Sequence, residues 1–237
     1  MLPFIAAFIL GLTKAGFKGL GFFVVVLLAI IYDAKASTGI LMPLLILADI
    51  MAITYYKKHV HWDVLWKLLP VIVIGILIGV IVGDSIPIDI FKNLMATIIL
   101  ISGISMFVLD KIDIKDISDN KIFSWTIGLA TGFTTMVGNL AGGFANLYFL
   151  TLKVPKNIFI GTSAWLFFFV NLIKLPFHVF VWGTVNTSSF QTSLNLAPSL
   201  IIGFLCGIYL VKFIPNGIFR KYIIVVTIIG AILILCK

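Results

Sequence analysis

The sequence contains very little charge for its length. Only 11% of the 237 residues are charged, 61% are hydrophobic and the mean hydropathy is +1.20, whereas an average soluble domain has about 25% charged residues. A soluble core of this size cannot bury so much apolar surface behind so few charges. The composition excludes a soluble enzyme, a disordered protein and a nucleic-acid-binding protein, and it favours a polytopic helical membrane protein.

Several residue types that carry chemistry are also scarce. Glutamate is absent, and Cys206 and Cys236 are the only cysteines. Both lie in apolar runs without metal-ligand spacing, so we predict that they are packing residues. His59 and His61 lie in a lysine-rich loop and are not expected to bind a metal. With no convergent nucleophile and base, the sequence predicts neither an enzyme nor a cofactor.

Ten apolar segments divide the chain into two halves joined by a polar stretch. The segments are approximately 3–13, 19–32, 36–56, 67–83, 88–109, 123–136, 139–152, 157–180, 191–212 and 217–236. We predict a first transmembrane repeat over 1–109, a polar cytoplasmic linker over 110–122 and a second repeat over 123–237. The first two segments of each half are short and glycine-rich, which is typical of discontinuous or re-entrant helices.

The two halves resemble each other in sequence. Pro70, Gly75, Gly79, Pro87, Phe91 and Lys92 match Pro198, Gly203, Gly207, Pro215, Phe219 and Arg220 at one constant offset without a gap. Further upstream the match is weaker, and Gly39 aligns with Gly161. Glycines four residues apart predict close helix packing in lipid.

The distribution of basic residues predicts that the halves have opposite orientations. The 57–67 loop of the first half carries Lys57, Lys58 and Lys67, whereas its counterpart at 181–190 has no charge. In the next loop of each half the order is reversed, because the second half carries more basic residues there than the first. Because basic residues concentrate in cytoplasmic loops, this reversal predicts an inverted-topology repeat, an architecture typical of secondary transporters.

Two charged residues within apolar segments are candidates for function, because a charge inside the membrane is costly. These are Asp49 and Lys174. Asn171, Lys174 and His178 share one helical face, and Asp49 aligns with Asn171 between the halves. We expect Lys174 and Asn171 to bind substrate, and Asp49 and His178 to take part in coupling to a proton or cation. The alternative is a charge pair between Asp49 and Lys174 that holds the helices in register.

Two glycine-rich stretches, 11–21 and 132–143, are candidates for anion binding. Glycine allows backbone N–H groups to approach a ligand, and a helix N-terminus favours an anion. Lys14 and Lys18 would add positive charge to the first stretch, unless it is merely a cytoplasmic loop. The further candidates for substrate binding are Gly16, Gly19, Asn139, Gly142, Thr162 and Ser163. The hydroxyls of Thr162 and Ser163 have the alternative role of bonding to the backbone.

The sequence resembles the TauE/SafE family of sulfite and organosulfur-anion transporters over essentially its whole length. The resemblance rests on Gly-Leu-Thr-Lys-Ala-Gly-Phe-Lys-Gly at 11–19, Leu-Ala-Asp at 47–49, Gly-Asn-Leu-Ala-Gly at 138–142, Gly-Thr-Ser-Ala-Trp at 161–165 and Asn-x-x-Lys-x-Pro-Phe at 171–177. One departure is Gly143, where the family often has proline. The resemblance implies a multi-pass carrier of small sulfur-containing anions in a prokaryotic plasma membrane.

The predicted function is therefore secondary transport of sulfite, thiosulfate or organosulfonates by ion- or proton-coupled alternating access. The expected partners are a small anionic substrate, the lipid bilayer and a coupling proton or cation, with no nucleic acid. Two alternatives remain open. One is a transporter of another anion or of a lipid phosphate, and the other is a non-transporting membrane assembly factor.

Overall fold

Helices form the regular structure of the chain wherever it is described. The computed structural model describes residues 1–87, 120–219 and the short stretches 90, 93–94, 97–98, 101, 104, 221–223 and 225–226. Most of the predicted segments 88–109 and 217–236, nearly all of the linker 110–122, and the matched residues Phe91, Lys92 and Arg220 lie outside these residues. No strand occurs within the described ranges.

Within the described residues, four helices are long and apolar enough to cross a membrane. They are α3 (Ala34–Tyr56), α4 (Trp62–Ser85), α7 (Lys156–Pro176, continued by a π-helical turn at Phe177–Val181) and α8 (Thr187–Val211). At 1.5 Å per residue they reach about 35 Å or more, enough for a hydrocarbon core of about 30 Å. They correspond to the predicted segments 36–56, 67–83, 157–180 and 191–212.

The remaining helices are shorter, as the sequence predicts for the first two segments of each half. They are α1 (Leu2–Ala15), α2 (Gly21–Tyr32), α5 (Lys121–Gly138) and α6 (Ala141–Thr151). Helices α1, α2 and α6 are only about 17–21 Å long. Helix α5 is longer than its predicted segment, because the Asn120 side chain caps its first turn and the helix continues to a left-handed Asn139.

Glycines bring helices of the two halves into close contact. A Cβ atom at Gly75 of α4 would collide with the carbonyl oxygen of Leu129 in α5, and one at Gly132 of α5 would collide with that of Ile72. The backbones of α4 and α5 therefore touch, with no space for a side chain between them. This confirms the close packing predicted for the Gly75/Gly79 pair.

The second glycine pair does the same for α1 and α8. A Cβ atom at Gly203 would collide with the carbonyl oxygen of Phe8, and one at Gly11 with that of Leu200. A Cβ atom at Gly207 would likewise collide with the Cβ atom of Ala15. Each half therefore packs its glycine-bearing long helix against the first short helix of the other half.

The long helices α3 and α7 contact each other beside the site described below. Gly39 near the start of α3 contacts the backbone of Thr184, in the loop after α7. Gly161 near the start of α7 contacts the backbone of His59, in the loop after α3. The two aligned glycines thus make reciprocal contacts, each with the loop that follows the partner helix.

Candidate functional site

A cavity lies where the turns between α1 and α2 and between α5 and α6 meet α3 and α7. Its volume is about 70 Å³, several times the roughly 10–15 Å³ that one water molecule requires. The polar part of its lining comes from both halves and consists of Thr13, Lys14, Lys18, Thr135, Asn139, Asn146 and Asn171. The cavity is therefore large enough for a small ion and is lined by both donors and acceptors.

A buried ion pair forms one wall. The Lys14 ammonium lies 2.6 Å from Oδ1 of Asp49, and the Asp49 side chain is fully buried. The other carboxylate oxygen, Oδ2, accepts a 2.6 Å hydrogen bond from Nδ2 of Asn171. Both oxygens of Asp49 are thereby occupied, one by a charge and one by an amide.

A second buried ammonium, that of Lys174, continues the same network. Its Nζ donates to Oδ1 of Asn139 at 2.6 Å, to Oγ1 of Thr135 at 3.1 Å and to Oδ1 of Asn171 at 3.4 Å. Asn171 thus bridges Asp49 and Lys174. Lys174 itself does not line the cavity, but all three of its acceptors belong to residues that do.

Asn139 is held in place by the backbone of α3. It adopts left-handed backbone geometry (φ 56°) at the end of α5, which asparagine tolerates better than most residues. Its Nδ2 donates to the carbonyl oxygen of Thr38 at 3.2 Å. This bond fixes the amide, so that Oδ1 faces the Lys174 ammonium.

A third buried lysine, Lys18, lies in the turn between α1 and α2. Its side chain is 2% exposed, and its Nζ is 5.5 Å from the ring centroid of Phe167. The Nζ of Lys14 lies 5.1 Å from the same centroid. Two ammonium groups thus share one aromatic ring at the cavity.

Two helix N-termini reach the cavity, one from each half. Helices α2 and α6 both lack a side-chain cap, and their first residues, Gly21 and Ala141, line the cavity. The turns that precede them include Gly19 and Asn139, which have positive φ angles of 95° and 56°. Uncapped N-terminal N–H groups with the helix dipole behind them favour an anion.

Comparison with known proteins identifies the family of the chain. The family described as sulfite exporter TauE/SafE matches residues 3–234. The chain belongs to the TauE/SafE family. No match to the chain is found among curated proteins or among solved structures. TauE/SafE proteins are membrane transporters of sulfite and related anions rather than enzymes, so the chain is a multi-pass membrane transport protein.

This TauE/SafE protein brings together some of the residues singled out in the sequence. Asn139, Asn171, Gly19 and Gly142 line the cavity, and Lys174 and Asp49 bond to its lining. The alternative of a direct charge pair between Asp49 and Lys174 is not seen, because Lys14 is the ion-pair partner of Asp49. Gly16 ends α1 with a φ of 138° and lies outside the lining.

The hydroxyls of Thr162 and Ser163 have structural partners away from the cavity. Oγ1 of Thr162 accepts from the backbone N–H of His61 at 2.9 Å, and Oγ of Ser163 donates to the carbonyl oxygen of Ile160 at 2.9 Å. Bonding to the backbone was the alternative role for both residues. Neither belongs to the lining of the cavity.

Replacing Thr162 by valine is therefore expected to change stability without changing transport affinity. The His61 N–H would lose its acceptor, at a cost of about 1–3 kcal/mol. We expect a lower apparent melting temperature in detergent, an unchanged apparent KM for anion flux, and recovery of stability in Thr162→Ser. A raised KM in a stably folded Thr162→Val would instead return Thr162 to the substrate site.

His178 lies one turn beyond Lys174, in the π-helical turn. It is fully buried, Nδ1 is 2.9 Å from Oγ1 of Thr184, and the ring packs against Trp182. Its Nε2 is buried without a hydrogen-bond partner. His178 does not line the cavity, so the structure separates it from the residues that surround the candidate site.

Three contributors to the site are less evident from the sequence. Lys14 and Lys18 lie in a glycine-rich stretch that could be a loop, yet they are only 5% and 2% exposed. Phe167 belongs to an aromatic run that indicates core or lipid contact, yet the ammonium groups of both lysines lie over its ring. The apolar sequence around each lysine was the available signal for burial, since a loop lysine normally has polar neighbours.

Proposed function

We propose that this protein is a secondary transporter of small sulfur-containing anions and that the cavity is its substrate site. One observation carries the proposal. Two uncapped helix N-termini from opposite halves and a buried lysine-rich network converge on one cavity of small-anion size. Half-helix N-termini that point at an anionic group near the membrane midplane are a recurring arrangement in secondary transporters.

The charge of the site supports an anionic substrate. Lys14, Lys18 and Lys174 are buried there with Asp49 as the single carboxylate among the residues described around the cavity. A buried ammonium is costly unless it is paired. An anion bound between the helix N-termini would supply the missing negative charge, with Asn139 and Asn171 orienting it.

The contacts between the halves support an inverted repeat with alternating access. Asp49 and Asn171, which align between the halves, bond directly to each other, as equivalent residues do only beside a twofold axis. The reciprocal contacts of Gly39 and Gly161 fit the same axis. Rocking of the repeat at 1–109 against that at 123–237 would then open the cavity to each side in turn.

Asp49 is the proposed coupling residue. It holds the Lys14 ammonium at 2.6 Å. A proton or a cation arriving at the carboxylate would weaken this pair and free Lys14 to interact with an anion in the cavity. We place the protein in a prokaryotic plasma membrane with the 110–122 linker in the cytoplasm, in keeping with the loop lysines.

Lys174→Gln tests the proposal. The variant removes the charge but keeps a polar side chain that can donate hydrogen bonds, one bond shorter than that of lysine. We expect uptake of labelled sulfite into proteoliposomes to fall about 10- to 100-fold, because a charge-assisted bond contributes about 1.5–3 kcal/mol. Lys121→Gln, at an exposed position, is the matched control and should transport normally.

The result that contradicts the proposal is equally definite. Unchanged flux and apparent affinity in a correctly inserted Lys174→Gln would exclude Lys174 from the substrate site. Absence of saturable flux for sulfite, thiosulfate and sulfonates, with folded wild-type protein and with or without a pH gradient, would favour a lipid-phosphate transporter or an assembly factor.

A further inference from the structure

The lysines of the cavity differ in how their charge is balanced. Lys14 has a carboxylate partner, Asp49, at 2.6 Å. Lys18 and Lys174 are equally buried, at 2% and 0% exposure, but no carboxylate pairs with either of them among the described residues. Two positive charges at the site are therefore not neutralised by the described part of the chain.

An aromatic ring is the direct partner of the Lys18 ammonium among the described residues. Its ammonium lies over Phe167, and its backbone N–H donates to the carbonyl oxygen of Gly16 at 2.8 Å, which fixes the tight turn. A ring quadrupole attracts a cation but carries no net charge. The Phe167 ring orients Lys18 toward the cavity that both residues line, and it leaves the charge uncompensated.

Lys174 is surrounded by neutral oxygens. The three acceptors of its ammonium belong to two amides and one hydroxyl. These bonds satisfy the donors but bring no negative charge. Because Asn139, Thr135 and Asn171 also line the cavity, the ammonium is separated from an ion in the cavity by a single layer of polar groups.

The rest of the lining limits the size of the ligand. Apolar side chains form much of the cavity wall, including Leu10, Phe22, Val25, Leu41 and Leu45. A polar or charged extension would be desolvated against these side chains without a partner. The volume of about 70 Å³ thus favours a compact oxyanion.

From this charge balance we propose that the site selects doubly charged compact oxyanions over singly charged oxyanions of the same size. This inference rests on the proposed function and names its substrate class. Lys18 is the specificity-determining residue, because it lines the cavity directly and its charge has no carboxylate partner among the described residues. Dianions such as sulfite in its unprotonated form, sulfate and thiosulfate would satisfy both lysines, whereas a monoanionic sulfonate would leave one of them unbalanced.

The experiment is competition for the uptake of labelled sulfite into proteoliposomes at mildly alkaline pH, where sulfite is a dianion. Sulfate and methanesulfonate form the matched pair of competitors, since they differ mainly by the exchange of one charged oxygen for a methyl group. For the wild-type protein we expect half-inhibition by sulfate at a concentration at least about ten times lower than by methanesulfonate.

Lys18→Met assigns the preference to one residue. We expect it to reduce the sulfate preference about tenfold while half-inhibition by methanesulfonate stays the same or improves. Lys18→Arg keeps the charge and should keep the preference. Lys35→Gln is the control, because Lys35 also lies 5.5 Å from a ring centroid, that of Trp182, but is partly exposed and lies outside the cavity.

The possible failures are distinguishable. Absence of saturable sulfite uptake by the wild type would overturn the proposed function together with this inference. Saturable uptake with equal inhibition by sulfate and methanesulfonate would overturn the inference alone, and so would a Lys18→Met variant that weakens both competitors equally. If Lys18→Met does not fold, the wild-type competition and Lys18→Arg still decide whether the site selects by charge.

Discussion

Gly132→Leu is expected to eliminate folded protein. Any Cβ atom at this position would collide with the carbonyl oxygen of Ile72 and lie too close to Gly75. These are backbone atoms of a helix, so relief requires the separation of α4 from α5. We expect a loss above about 4–5 kcal/mol, the range reached only by severe structural damage. Size-exclusion profiles and melting temperatures in detergent would measure it.

Gly217→Ala is the matched control, because a Cβ atom at Gly217 meets nothing within 4 Å. It should leave both measurements at the wild-type values. Gly203→Leu places the same strain at the α1–α8 contact, against Phe8, and should fail in the same way. A monodisperse Gly132→Leu with the wild-type melting temperature would show that α4 and α5 do not touch as described.

The second large effect concerns the buried pair of Lys14 and Asp49. Asp49→Leu leaves a buried ammonium without its carboxylate, and Lys14→Met leaves a buried carboxylate with only the Asn171 amide. Breaking a buried pair in this way costs about 3–5 kcal/mol. We expect each single variant to have a clearly lower melting temperature and to lose anion flux.

The double variant Lys14→Met/Asp49→Leu separates stability from function. Replacing a whole buried pair by apolar residues is often neutral or stabilising, so the melting temperature should return close to the wild-type value. Flux should remain lost, because the coupling group is gone. Simple addition of the two losses in melting temperature would contradict the pairing, and wild-type flux in the double variant would exclude Asp49 from coupling.

The sequence contained most of the helical architecture. Apolar length located the long helices, and the constant offset between halves identified the glycines that bring α4 and α8 against α5 and α1. The alignment of Asp49 with Asn171 even identified two side chains that bond to each other. Periodicity and repeat spacing are local signals, and they remain readable in a single sequence.

What the sequence could not supply was the choice of partners. The sequence indicated Lys174 as the charge partner of Asp49, because both lie within apolar segments, but tertiary packing of α1 against α3 brings the Lys14 ammonium there instead. Phe167 has the spacing of a core residue, and only the folded end of α1 with the turn at 16–20 places two lysines over its ring. The extra length of α5 depends on a left-handed Asn139, a conformation fixed by a bond to α3.

The glycine contacts between α1 and α8 have a consequence for how the protein is made. Helix α1 is synthesised long before its packing partner. That partner, α8, covers the glycine-bearing face of α1 and begins only at Thr187. At about 5–20 residues per second, α1 spends roughly 10 to 40 s without its partner. A helix too short to span the bilayer must be sheltered during that interval, so biogenesis depends on whatever holds the first half at the membrane until the second has been translated.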